Sequence, residues 1–333
     1  MPVIPDSKYL PPRWQRGGHL QTIVPNAFRH VPLVTHIPER LELDDGDFLD
    51  LGWTGREKKQ LAILSHGLEN RHTCNYMQGM ARALAARGWN VLAWTMRGCG
   101  PERNRLLQCY HGGETTDLDA VVQHAFATHP AHTVALVGFS LGGNLTLKYL
   151  GETPRDPRIH AAATISVPCD LAGSAHRLAE QDNRLYMLRF LRKLRRRMRD
   201  KAKQFPGKID LTGLDDIRDF QTFDDRYTAP LHGFHDAAEY WRQCSCKPFL
   251  QSIRIPTLVL NARNDPFLSP TCHPTDEAAA SQHVFLDSPP EGGHVGFALP
   301  RTLRETWAEQ RVAEFFEEIQ HDQPQANVYE TLL

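Results

Sequence analysis

The sequence predicts an α/β fold, a mostly parallel sheet with helices on both faces and a helical cap inserted before its last strands. Three observations carry this. Short apolar, β-branched runs alternate with amphipathic stretches at the spacing of βαβ units, which places successive strands parallel and joins them through crossover helices. At one junction, Gly138-Phe139-Ser140-Leu141-Gly142, a strand must turn sharply into a helix around a serine. Finally, the interval from Cys169 to Ile255 interrupts the alternation with charge-rich sequence that lacks compact apolar strands.

In chain order, residues 1–40 carry many prolines, which forbid a long helix, yet are too apolar for a disordered tail, so they read as an extended arm across the main body. RLELDDGDFLDLGW (40–53) alternates apolar and polar residues around Asp45-Gly46, a hairpin signal that opens the sheet with antiparallel strands. QLAILSHG (60–67) reads as a strand, NYMQGMARALAARG (75–88) as a helix closed by glycine, and NVLAWTMRG (90–98) as a strand. TTDLDAVVQHAFATHP (115–130) is a helix capped by Thr or Asp and stopped by Pro130. Val134 to Val137 form the strand before the serine, and Leu145, Leu147, Tyr149 and Leu150 mark the helix after it. HAAATISVP (160–168), TLVLNARND (257–265) and QHVFLDSP (282–289) are further strands, LRETWAEQRVAEFFEEIQ (303–320) is a closing amphipathic helix, and 321–333 form a loosely held tail. Residues 41–168 and 256–320 thus make the core, and 169–255 the helical cap. An insertion at the carboxyl ends of parallel strands lies over the ligand crevice.

Composition excludes several classes. With 41% hydrophobic and 23% charged residues and a formal net charge of −1, the 333-residue chain is neither a basic nucleic-acid binder nor an acidic disordered one. No apolar run reaches membrane-spanning length, and the first residues lack a basic n-region and an apolar h-region. Seven scattered cysteines, an odd number, suit free thiols in a reducing, cytoplasmic compartment better than a disulfide framework. Cys244-x-Cys246 stands without a second ligand pair, so no metal and no cofactor is expected.

The chemistry centres on Ser140. Glycines at 138 and 142 remove Cβ atoms that would clash in the turn, so the serine holds a strained backbone with its hydroxyl exposed. A serine hydroxyl needs a base to take its proton and a third group to orient the base. Behind such an elbow the acid comes next in the chain and the histidine last. Asp265 ends the strand TLVLNARN, and His294 sits after the last strand in Glu291-Gly292-Gly293-His294-Val295-Gly296. Asp170 is the fallback acid, and His66, His111, His273 and His283 are weaker bases by position. The oxyanion of a tetrahedral intermediate calls for preorganised N–H donors. The Leu141 amide at the helix start and the Leu68 amide after His66-Gly67 are the candidates. His111, in YHGGET, and Phe139 are candidate pocket residues.

These strings resemble a known group. GGHLQT (17–22), SHGLEN (65–70), RGCG (97–100), YHGGET (110–115), GFSLGGN (138–144), NARNDPF (261–267) and GGHVGF (292–297) are similar to motifs of the α/β-hydrolase superfamily. Within it they resemble the YheT-like branch, related to mammalian lipid-directed ABHD hydrolases. The resemblance implies a serine carboxylesterase with Ser140, Asp265 and His294 as charge-relay residues, acting on a small-molecule ester with a short- to medium-chain or lipid-like acyl group. The same triad serves an acyltransferase, and a non-catalytic lipid-binding protein is the remaining alternative. Between Arg189 and Lys203 nine Arg or Lys residues face one acid, Asp200. With leucines interleaved, the run 185–203 fits either a solvated cap face or peripheral contact with an anionic membrane. No aromatic stacking platform accompanies it, so nucleic acid is not an expected partner.

Overall fold

Near-continuous apolar runs make the central strands because helices cover both faces of a parallel sheet. The computed structural model describes residues 3–322 apart from 6, 33 and 301. Its main sheet contains β1 (Val3–Ile4), β2 (Ile37–Glu42), β3 (Phe48–Thr54), β4 (Gln60–Ser65), β5 (Asn90–Thr95), β6 (Thr133–Phe139), β7 (Ile159–Ile165), β8 (Thr257–Leu260) and β9 (Val284–Asp287). Their order across the sheet is β1-β9-β8-β7-β6-β4-β5-β3-β2. Only β2–β3 and β3–β5 pair antiparallel, so the hairpin at Asp45-Gly46 forms the antiparallel edge, with Gly46 in the left-handed region at φ 85°. A separate ribbon joins β10 (Ala298–Leu299) to β11 (Thr302–Thr306).

The helices are α1 (Gly18–Phe28), α2 (Asn75–Ala85), α3 (Thr115–Thr128), α4 (Leu141–Glu152), α5 (Leu171–Ala179), α6 (Arg184–Gln204), α7 (Phe220–Phe223), α8 (Ala229–Leu231), α9 (Ala237–Cys244), α10 (Thr275–Ala279) and α11 (Trp307–Asp322). Among the described residues, none is long and apolar enough to cross a membrane. Strand alternation divides the core into two layers. Val134 and Leu136 of β6 pack with α3 and α4, whereas Ala135, Val137 and Phe139 pack with α2 and α11. The segment between β7 and β8 contributes α5 to α9 and has an apolar cluster of its own, including Leu191, Met198, Phe223 and Trp241, against which Phe267 packs.

Two expectations need correction. The N-terminal segment is not extended throughout, because residues 18–28 form α1 despite Pro25 in its eighth position. One interior proline removes one helix hydrogen bond rather than forbidding the helix, and side-chain bonds from Thr22 to the Gly18 carbonyl and from Asn26 to the Thr22 carbonyl brace it. The closing helix starts at Trp307, not at 303, since residues 302–306 pair as β11. Thr306 and Glu309 form the reciprocal capping box that sets this start, each backbone N–H donating to the other's side chain. Of the expected tail, residues 323–333 lie outside the described residues.

The end of α1 is tied to α11 by an ion pair between Arg29 and Glu309 at 2.6 Å, with both side chains 3% exposed. Losing one partner strands the other charge in the core, which costs about 3–5 kcal/mol. Urea unfolding of Arg29→Met should show that loss, and the double variant Arg29→Met, Glu309→Met should regain most of it. A single variant within about 1 kcal/mol of wild type would contradict the stapling role.

Candidate active site

β6 ends at Phe139 and α4 begins at Leu141, so one residue makes the whole turn. Ser140 adopts φ 51°, ψ −120°, a left-handed conformation that costs a residue with a Cβ roughly 1–3 kcal/mol. Its N–H donates to the Ile165 carbonyl at 2.8 Å. The flanking glycines are there for close approach: a Cβ on Gly138 would lie 2.5 Å from the Gly142 carbonyl oxygen, and one on Gly142 would lie 2.4 Å from the His66 carbonyl oxygen.

Two loops at the carboxyl edge of the sheet meet this turn. His294 Nε2 lies 3.0 Å from Ser140 Oγ, and His294 Nδ1 lies 2.8 Å from Asp265 Oδ2. The other carboxylate oxygen of Asp265 accepts the Phe267 N–H at 2.9 Å, which fixes the carboxyl plane. The Phe267 ring covers the imidazole with centroids 4.2 Å apart. Asp170 is placed elsewhere, as the N-cap of α5, accepting from the Gly173 N–H. His66 is structural: its Nε2 accepts the Met96 N–H, and burial pushes its pKa down to about 4, leaving it neutral.

The loop that carries His294 is held by α1, a role the sequence reading missed. Thr22 Oγ1 accepts the His294 N–H at 2.8 Å, and Gln21 Oε1 accepts the Gly292 N–H and Asn264 Nδ2, each at 2.8 Å. Asn264 Oδ1 in turn accepts the Gly293 N–H, and Ser166 Oγ accepts the Val295 N–H. Gly293 sits at φ 62°, and a Cβ there would press 2.7 Å from the Gln21 backbone. Val295 and Phe297 take φ 54° and 45° without being glycine. Clustered left-handed residues of this kind persist only where their surroundings over-determine them. The one sequence signal was the string GGHLQT itself, whose polar residues had no assigned partner.

On the opposite side of Ser140, Gly67 brings the loop after β4 so close that a Cβ on it would touch the Ser140 Cβ at 3.0 Å. Among the described residues, neither the Leu68 nor the Leu141 amide donates to a protein acceptor. Glu69, next in the loop, has φ 55° and is gripped from all sides. Tyr110 Oη accepts its N–H and donates to its carboxylate, Arg197 forms a 2.6 Å ion pair with that carboxylate, and Lys193 Nζ donates to its carbonyl at 2.8 Å. Arg197 and Lys193 belong to the basic helix α6, which therefore turns several cations inward. Arg197 is 3% exposed, and buried Lys201 donates to the Asn104 and Leu106 carbonyls.

A sequence model described as the alpha/beta hydrolase fold matches residues 63–299. The Escherichia coli (strain K12) protein named "Putative esterase YheT" is 35% identical over 319 residues, 93% of each chain. The chain belongs to the α/β-hydrolase family. The human protein named Phospholipase ABHD3 is 26% identical over 306 residues, 89% of this chain and 75% of its own. Among solved structures, the Pyrococcus furiosus esterase Pf2001 superposes with a TM-score of 0.57 at 17% identity, over 87% of this chain and 99% of that one, a likeness of fold.

In this hydrolase two clefts meet at Ser140 and His294. The first runs under the helical segment and is walled mainly by apolar side chains, among them Leu141, Leu171, Leu194, Met198, Phe223 and Phe267. His111 lines it, as do His232 and Asp224. Burial pushes the Asp224 carboxyl up to about 7 even though Thr228 and Trp241 donate to it. The second cleft has mixed walls and carries cations, with Asn26, Asn70, Asn75, Arg189 and Lys193 lining it beside Ile23, Tyr186, Phe190 and Phe267. Phe139 lines neither cleft. Because alternate strand residues face opposite ways, its ring lies in the core against Tyr76, 4.8 Å between centroids, and it is 2% exposed.

Thr22→Val keeps shape but deprives the His294 N–H of its acceptor. Labelling of Ser140 by a fluorophosphonate should slow by about tenfold to a hundredfold, the scale of an ångström of misplacement, while the thermal midpoint moves little. Unchanged labelling would show that α1 does not set the histidine.

Proposed function

We propose that this protein is a serine carboxylic-ester hydrolase working through Ser140, His294 and Asp265 and an acyl-enzyme. The observation that carries the reading is the continuous hydrogen-bonded chain from Ser140 Oγ through His294 to Asp265 at the mouth of an apolar chamber. In this mechanism His294 Nε2 takes the hydroxyl proton as Ser140 Oγ attacks the ester carbon, and Asp265 stabilises the imidazolium. The oxyanion receives the Leu68 and Leu141 amides, the latter at the positive end of α4. His294 then protonates the departing alcohol, and water, activated by the same ring, releases the acid.

The division of the two clefts supports a lipid-like ester. An apolar acyl chain of short to medium length fits the first cleft, and the alcohol side faces Arg189 and Lys193, which suits an anionic head group. Residues 169–255 then act as the cap that walls the acyl chamber. Next to the outer cleft, Leu185 and Leu188 of α6 are 79% and 43% exposed among Arg184, Arg189 and Arg192, and Leu20 and Ile23 of α1 are 46% and 43% exposed. Apolar side chains ringed by cations support peripheral contact with an anionic membrane.

Two experiments test this. A fluorophosphonate should label the wild type and not Ser140→Ala, and Asp265→Asn should lower kcat on medium-chain esters by about 10⁴-fold while Asp170→Asn does not; labelling that survives Ser140→Ala sinks the assignment. Co-sedimentation with phosphatidylglycerol-containing vesicles should exceed that with neutral ones, fall with salt, and weaken about fivefold for each of Arg184→Gln and Arg192→Gln. Equal sedimentation with neutral vesicles would remove the membrane contact and leave the hydrolase reading intact.

A further inference from the structure

The wall of the apolar cleft holds a second constellation that the proposed hydrolysis mechanism does not use. His111, Glu114 and His232 bring one potential ligand atom each to within 4.8 Å of one another. His111 Nε2 stands 3.2 Å from Glu114 Oε2, and the His111 and His232 rings are 4.6 Å apart between centroids. Two of the three residues lie on the core loop that leads into α3, while His232 follows α8 in the cap. The core pair is rigidly set: a Cβ on Gly113 would lie 2.5 Å from Cys244 Sγ, and the Gly112 N–H donates to Tyr240 Oη at 2.9 Å. The second oxygen of Glu114 accepts the Thr116 hydroxyl, the kind of outer contact that orients a ligating carboxylate. Among the described residues, the His232 ring meets His111 and makes no hydrogen bond.

We propose that His111, Glu114 and His232 bind a borderline divalent cation of the Zn²⁺ or Ni²⁺ type, which ties the cap to the core at the chamber wall. Two imidazoles and one carboxylate are the donor set that suits such ions, and three protein ligands leave a position for water. Ligand bonds of about 2.0–2.2 Å require the three groups to draw in from their present spread, a movement within reach of side-chain rotation in the His232 loop. His111 Nδ1 now accepts the Gly113 N–H at 3.2 Å and lies 3.6 Å from Cys244 Sγ. When Nε2 takes the ion, the ring proton sits on Nδ1, which gives up the long Gly113 N–H bond and points to that sulfur, a weak acceptor. Since the site joins both sides of the chamber, the bound ion holds the wall shut and narrows the space for an acyl chain.

The test is direct binding, so it does not depend on the esterase reading. Zn²⁺ is titrated into the full-length protein in competition with a chromophoric chelator, and thermal midpoints are read with and without the ion. The wild type and Ser140→Ala should each take up one equivalent and melt higher with Zn²⁺. His232→Gln and Glu114→Gln should each weaken uptake at least tenfold and lose the thermal shift. Both positions are partly exposed, and either variant alone decides. Uptake weaker than about 0.1 mM in the wild type, or uptake unchanged in the folded variants and so located on thiols or elsewhere, overturns the site.

Discussion

The left-handed backbone at Ser140 is the constraint on which the rest of the site depends. A single residue reverses the chain between a central strand and its helix, so the hydroxyl stands at the carboxyl edge of the sheet. Because β4, β6, β8 and β9 run parallel, the loops that follow them emerge at that same edge. Asp265 and His294 therefore reach Ser140 from short loops, and Gly67 approaches from the other flank. The strain of roughly 1–3 kcal/mol at φ 51° is contained by packing that only glycine at 138 and 142 permits.

A second tier keeps these loops from relaxing. The histidine loop carries its own strained positions, Gly293, Val295 and Phe297, and its amides would be orphans if water were excluded without replacement. Thr22, Gln21, Asn264 and Ser166 supply the acceptors, each bond contributing about 1 kcal/mol net but costing more if left unmade. The N-terminal segment is thus part of the site rather than an appendage. Its anchor to α11 through Arg29 and Glu309 gives that support a fixed footing in the core.

The strands and the elbow were legible because covered parallel strands read as plain apolar runs and the glycine spacing admits few other geometries. Asp265 and His294 followed from their order and strand-end positions, and both stand in hydrogen-bonding reach of the chain to Ser140. What was illegible shares one cause, that the deciding partner lies far away in the chain. Pro25 reads as a breaker until the histidine loop packs on α1. Phe139 reads as a neighbour of the pocket until the strand's alternation turns it into the opposite layer. The basic run of α6 reads as a solvated or membrane face, yet Lys193, Arg197 and Lys201 repeat every fourth residue beside Leu194 and Met198 on its inner side. No local pattern announces that Glu69 and the Asn104 and Leu106 carbonyls wait for them.

That inward stripe decides how substrate can enter. If α6 lifted as a lid, it would separate Arg197 from Glu69, two side chains only 4% and 8% exposed. Breaking such a pair without a replacement costs about 3–5 kcal/mol, so an opened form would hold only about 10⁻² to 10⁻⁴ of the population. Lifting would also free the Glu69 carbonyl from Lys193 and relax the loop that presents the Leu68 amide. A lid motion would then disturb the loop whose amide the proposed mechanism uses. The outer cleft between α1 and α6 already reaches Ser140 with the helices in place, and Arg189 and Lys193 line it. Entry of the proposed ester through that cleft leaves the buried ion pair intact throughout.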